Sequence, residues 1–284
     1  MLDVKKRALS LKSLPERFRV RALRILRVVV KIMLLLVVSI LAILLGYRLH
    51  YFLFVSPYFR VTRVEMLGVS PEVKTEALKF AELDKLEKRS YNLFRLNTSR
   101  IRRNLMNMPK IRIVEVYKEY PNTLRILAQP RKPIILILGY GLYIADSEGV
   151  IIESLAPEKR KECKFPVMTG IPSEEVRVGG VIKSPVFFKA IDLQSAMAKQ
   201  CEGLYEQLSE LNLNDRGEIT AIFKGGTEIR FGRHEVLERL PELEAFLNQH
   251  SPSLKEFKKF QYVDLRFEKQ IVYALRGEKP ATVK

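Results

Sequence analysis

The chain has 284 residues, 47% hydrophobic and 29% charged, with a net charge of +17. That length holds a membrane anchor plus one or two folded units. The charge first suggests nucleic acid, but its placement excludes most of that reading. Residues 1–31 carry ten Lys/Arg against Asp3 and Glu16, residues 56–130 carry fifteen against eight acids, and residues 131–284 carry twenty-three against twenty-two. The surplus therefore flanks one apolar segment, which is the signature of membrane topology.

Residues 1–27 form a basic tail. Within it Leu9–Arg27 sets Leu11, Leu14, Phe18 and Leu23 among cations, either as an amphipathic helix on anionic lipid or as a loose, solvated segment. "IMLLLVVSILAILLGY", Ile32 to Tyr47, is uncharged and flanked by Lys31 and Arg48. Sixteen residues at about 1.5 Å each reach roughly 24 Å. Extension to residues 28–55, with Lys31 and Arg48 snorkelling, spans the hydrocarbon layer. Tyr47, Tyr51, Phe52, Phe54, Tyr58 and Phe59 follow as an interfacial belt. The n-region is long for a cleaved signal, and no A-x-A-like site follows, so the segment reads as an uncleaved signal anchor. The positive-inside rule keeps the N-terminus cytoplasmic and places residues from about 56 outside.

Residues 59–130 read as a small module. "FRVTRVEMLG" predicts a strand ending at Gly68, and "SPEVKTEALKFA" a helix capped by Ser70 with Pro71 at its first position. A second helix follows in "LNTSRIRRNLMNMP", capped by Asn97 or Thr98 and ended by Pro109, with Ile101, Leu105 and Met108 on one face. "KIRIVEVYKEYPNTLRILAQP" predicts two strands joined through Tyr120-Pro121-Asn122. The order is strand, helix, helix, strand, strand.

Residues 131–276 predict a mixed sheet with helices. "IILILGYGLYIADSEGVIIE" gives short strands. "SPVFFKAIDLQSAMAKQ" gives a helix with Phe187, Ala190, Ile191 and Met197 inward. "LNLNDRGEITAIFKGGTEIRFG" gives three strands, and "HEVLERLPELEAFLNQH" a helix despite Pro241. In "YVDLRFEKQIVYALR", Val263, Leu265 and Phe267 alternate with Asp264 and Arg266, whereas Ile271–Leu275 is apolar on both faces. A last strand of that character near a sheet edge invites pairing with another chain. Residues 277–284 are expected as a C-terminal tail. Cys163 and Cys201 lie in a compartment that permits a disulfide, and two cysteines alone leave bridged and buried free states open.

Catalytic signatures are lacking. His50, His234 and His250 are the only histidines, and H-E-x-x-H, G-x-S-x-G, a P-loop and Ser-x-x-Lys are all missing. Gly139 and Gly141 in "GYGLY" lack the third glycine and following helix of a nucleotide fingerprint and read as a turn. The expectation is a protein that works by contact, without enzyme activity, cofactor or metal.

The β-α-α-β-β unit behind a signal anchor resembles a POTRA domain. "VTRVEMLGVSPEVKTEAL", "NLFRLNTSRIRRNLMNMPKIRIVEVYKEYPNTLRI", "PRKPI", "YIADSEGVII", "FPVMTG", "LNLNDRGEITAIFKGGTEIRFG" and "YVDLRFEKQIVYALR" are similar, in that order, to the FtsQ/DivIB family of bacterial cell division. Lys110 stands in "MPKI" where that family often has the aromatic of "LPWV", and residues 155–210 match poorly. The resemblance implies an α+β protein with a single transmembrane helix, a POTRA domain and a β domain. It further implies a non-catalytic scaffold of the cytoplasmic membrane at the division septum. Its partners would be FtsB/FtsL-like bitopic proteins, other divisome members and membrane lipid, with no nucleic acid.

The resemblance also implies that an FtsB-like partner adds a strand to the last β strand, contacting Phe267, Lys269, Ile271, Tyr273 and Leu275. The alternative for those side chains is packing on the protein's own helices. Arg100, Arg102 and Arg103 form a basic face that is either a recruitment surface or simply solvated. Two other functions are distinguishable. A POTRA component of an outer-membrane assembly or secretion system would carry a β-barrel of many alternating segments. An exported cell-wall enzyme would depend on groups such as His234, Asp264 and Glu268.

Overall fold

The computed structural model describes residues 16–85, 91–250 and 257–283. The described chain divides into two compact units. The first joins the N-terminal helix as far as Arg63 to residues 91–96 and Lys118–Thr123. The second holds Val64–Lys85, Asn97–Tyr117 and the residues from Leu124 onward.

In the first unit α1 runs from Glu16 to Phe54. At 1.5 Å per residue, its 39 residues extend about 58 Å. From Val20 to Phe54 it is long and apolar enough to cross a membrane, and its apolar side chains as far as Phe52 are exposed. The helix starts well before residue 28, so Glu16–Arg27 is helical rather than loose; Leu11 and Leu14 lie outside the described residues. Only Val55 and Ser56 separate α1 from the helical turn Pro57–Phe59.

The POTRA-type module contains β1 (Arg63–Leu67), α2 (Pro71–Phe80), α3 (Thr98–Met106), β2 (Ile111–Glu119) and β3 (Thr123–Pro130), with sheet order β1-β3-β2. Capping follows the sequence: Ser70 Oγ accepts from the Val73 N–H, and Asn97 Oδ1 accepts from the Arg100 N–H at 3.0 Å. These bonds satisfy donors that the first helical turn leaves without partners. Ala77, Ile101 and Leu105 on the helices are buried, as are Val114, Leu124 and Ile126 on the strands.

The remainder of the second unit is one mixed sheet with helices. Its elements are β4 (Ile135–Leu138), β5 (Leu142–Ala145), β6 (Ile151–Leu155), β7 (Val167–Thr169), α4 (Pro185–Gln200), α5 (Glu202–Tyr205) and β8 (Leu208–Leu213). They continue with β9 (Ile219–Phe223), β10 (Glu228–Gly232), α6 (Arg239–His250), β11 (Phe260–Asp264), β12 (Ile271–Leu275) and β13 (Ala281–Val283). The ten strands run β13-β12-β11-β10-β9-β8-β7-β4-β5-β6. Pairs β4·β7, β7·β8 and β10·β11 are parallel and the others antiparallel.

Period-two alternation builds the core. Leu211, Ala221, Phe223, Ile229 and Phe231 point inward and share one cluster with Phe187, Leu193 and Met197 of α4 and Leu243 and Phe246 of α6. α6 begins at Arg239, later than the sequence suggested, which puts Pro241 in the first turn where a missing N–H costs nothing. Gly170, directly after β7, has φ +86°, and a Cβ there would lie 1.6 Å from the Leu213 carbonyl oxygen. Cys163 and Cys201 are free thiols that pack on different apolar clusters. Burial, then the nearby Glu244 charge, push the Cys201 thiol pKa upward.

Candidate functional site

One edge of the large sheet lies where the chain forms its last three strands. Antiparallel pairing sets Val263 opposite Tyr273 and Asp264 opposite Val272. The expectation that β12 is the sheet edge is corrected by β13. Ile271 pairs with Val283, Val272 with Thr282 and Tyr273 with Ala281. Part of the segment 277–284 is therefore strand and not tail. A turn through Gly277, whose φ is +86°, folds it back, and a β-branched Thr-Val pair completes the ladder. Three residues are too few to read by pattern, which is why the sequence concealed them.

The side chains of β12 divide between the two faces. Ile271, Tyr273 and Leu275 are half-buried against the protein's own core. Tyr273 lies 5.3 Å from Phe246 and 5.6 Å from Phe260, ring centroid to centroid. That packing covers part of each of the three side chains and leaves the rest exposed. Phe267 and Lys269 stand apart from these three, in the exposed β11–β12 connection. Phe267 is 44% exposed, and Lys269 takes φ 57°, which aims the chain into β12. Just before them, Arg266 holds the buried Asp264 carboxylate by two bonds, Nε at 2.9 Å and Nη2 at 2.7 Å. Asp264 and Glu218 raise the Arg266 pKa further, with burial opposing them. Asp264 is therefore occupied in fixing the turn. Glu268 and His234 line a neighbouring polar groove of about 860 Å³ that Arg266 also borders.

Elsewhere, Arg100, Arg102 and Arg103 are all exposed on α3, around the buried Ile101. Lys31 and Arg48 are exposed on α1. Their seventeen-residue separation corresponds to about 25 Å along the axis.

A charged junction within the second unit escaped the sequence reading. Lys110 Nζ lies 2.9 Å from Glu76 of α2 and 3.0 Å from Glu153 of β6. Those hydrogen bonds raise its pKa. Arg131 reaches Asp146 at 2.7 Å and Glu148 at 2.8 Å, and Arg112 also bonds Glu148. Bonds from Arg112, then Arg131, hold the Glu148 carboxyl below the usual carboxylate range. The Arg131–Asp146 pair is largely buried, and Asp146 also accepts from the Glu148 and Val150 N–H groups. The one signal in the sequence was Lys110 itself, a cation where an aromatic was expected.

Comparison with known proteins agrees with this architecture. Residues 59–127 match the family model described as POTRA domain, FtsQ-type, and residues 136–266 match Cell division protein FtsQ/DivIB, C-terminal. The chain is similar to Cell division protein FtsQ of Myxococcus fulvus, 25% identical over 70% of this chain and 67% of that one. It is also similar to Cell division protein FtsQ of Syntrophotalea carbinolica, 25% identical over 78% of this chain and 76% of the relative. Cell division protein DivIB of Clostridium acetobutylicum is 31% identical over 34% of this chain and 38% of its own.

Proposed function

The chain belongs to the FtsQ/DivIB family of cell division proteins, and on that premise we propose that it is a non-catalytic, single-pass scaffold of the divisome. The observation that carries this reading is the order of parts: an apolar helix, then an FtsQ-type POTRA module, then an FtsQ/DivIB C-terminal module. In this proposal α1 anchors the protein in the cytoplasmic membrane at the septum. Its basic N-terminal flank stays in the cytoplasm, and the modules stand outside.

The work is done by contact. FtsB/FtsL-type bitopic partners dock at the β11–β13 end of the large sheet, and the assembly helps recruit and activate septal peptidoglycan synthesis. Backbone groups of β12 supply affinity, while Phe267 and Lys269 beside it supply specificity. β13 must then leave its place or receive the partner on its own outer side. Release is the better reading, because β12 offers five residues and β13 only three. Arg100, Arg102 and Arg103 provide a separate recruitment face for an acidic division protein.

Depletion of the protein in its own organism, followed by imaging, tests the proposal. The expected result is filaments without completed septa. Normal septation in depleted cells overturns it.

A further inference from the structure

We propose that the rim of the first unit docks on anionic phospholipid headgroups beside the point where α1 leaves the bilayer, so that the protein is held by a surface as well as by a helix. The inference rests on the reading of α1 as a membrane span.

The join between helix and rim is short and closed. Two residues link α1 to the Pro57–Phe59 turn, and buried Asn92 fastens the far side. Its Nδ2 donates to the Leu53 carbonyl in the last turn of α1 at 2.8 Å, and its Oδ1 accepts from the Phe94 N–H at 2.9 Å. Val61 N–H donates to the Tyr91 carbonyl at 2.8 Å. Around these bonds lies a continuous ring cluster. Phe54 meets Phe94 at 5.8 Å, Phe52 meets Phe59 at 5.4 Å, and Phe59 meets Phe94 at 4.9 Å. Edge-to-face packing of this kind fixes orientation as well as burying area. Tyr120 continues the cluster from Phe94, and Tyr58 from Phe52 and Phe59. Both tyrosines are more than half exposed.

Depth follows from helix geometry. Phe54 is six residues past Arg48, about 9 Å along the axis. With Arg48 snorkelling up from just inside the hydrocarbon boundary, the last turn of α1 reaches a headgroup layer roughly 5–8 Å thick. Tyr58 and Tyr120, one or two rings away, are thereby presented to that layer, where amphipathic rings are favoured.

Charge selects the lipid. Among the described residues of this unit after Tyr47, five are cationic, namely Arg48, Arg60, Arg63, Arg95 and Lys118, and one, Glu119, is acidic. Arg60 follows Phe59 and Arg95 follows Phe94 in the chain, and both arginines are exposed. Lys118 instead turns its ammonium to the Phe94 carbonyl at 3.2 Å, and burial lowers its pKa. Arg60 and Arg95, exposed and next in sequence to the clustered rings, carry the fork geometry that suits phosphate.

The chain contains no tryptophan, so Tyr120→Trp or Tyr58→Trp each introduces a single reporter. The full-length protein is placed in nanodiscs of phosphatidylcholine alone or with added phosphatidylglycerol, each with a trace of headgroup spin-labelled lipid. The expected result is stronger quenching by the spin label, and weaker quenching by acrylamide, in the anionic discs. High salt should erase the difference, which tests the proposal without altering the fold. Arg60→Ala with Arg95→Ala should lower the docked-to-undocked ratio by about twenty-five-fold, at roughly fivefold per cation near an anionic surface. Incorporation into both discs with equal quenching in each, unchanged by salt, overturns the dock alone. Failure to enter either disc overturns the membrane-span reading beneath it, and the dock with it.

Discussion

Deleting residues 279–284 removes β13 and leaves β12 with a bare outer edge, and the cost can be worked from the structure. Ordering three strand residues costs roughly 3–6 kcal/mol of backbone entropy. Against this stand about three backbone hydrogen bonds at about 1 kcal/mol each. Half-burial of Val283 against the core adds about 1 kcal/mol, while Ala281 and Thr282 are exposed and add little. The balance lies within about 2 kcal/mol of zero, so β13 is a weak cap. If the partner takes its place, the deletion strengthens partner binding up to about fivefold, the equivalent of about 1 kcal/mol, with little change in thermal stability. The assay is titration of an FtsB-type partner segment onto wild-type and deleted protein. Unchanged affinity would refute displacement, and lost affinity would show that the partner pairs with β13 itself.

Three further outcomes follow from the packing. Arg131→Met strands the buried Asp146 carboxylate, which should destabilise by about 3 kcal/mol, read by denaturant titration. Glu148 has its pKa lowered by Arg112 and Arg131, so the stability it contributes is present above the ordinary carboxylate value of 4.5 and is lost as pH falls through its depressed folded value. A melting difference between wild type and Glu148→Gln should accordingly be seen at neutral pH and close in that acidic window; a difference that persists there counts against the pairing. Gly170→Ala combines positive φ with a backbone clash at Leu213 and should cost several kcal/mol, abolishing cooperative unfolding. Retention of a sharp native transition would contradict that geometry.

Much of the fold was legible because its signals are local. Ser70-Pro71 and Asn97 announce helix starts through side-chain capping, and the alternation in β8, β9 and β10 follows from a sheet with one face on the core. The candidate site was less legible because its decisive facts are nonlocal. Apolar residues on β12 suggest a partner, and the sequence could not show that Tyr273 also packs on Phe246 and Phe260, distant along the chain. β13 is too short for any periodicity. The Lys110, Arg112 and Arg131 contacts join residues up to forty-odd positions apart, and no composition rule reports such pairing.

The large sheet has two unlike ends. At one, β6 is bound by the 179–180 loop and tied through Glu153 to Lys110; at the other, β12 is closed only by β13. Nine steps between ten strands, at about 20–25° of twist each, turn the strand axis through roughly half a revolution. Strand axes at the two margins therefore lie near one line again, but the two margins are separated by the full width of the sheet. Displacing β13 would therefore bare backbone at one margin of the sheet while the contacts that fasten β6, at the opposite margin, stay in place.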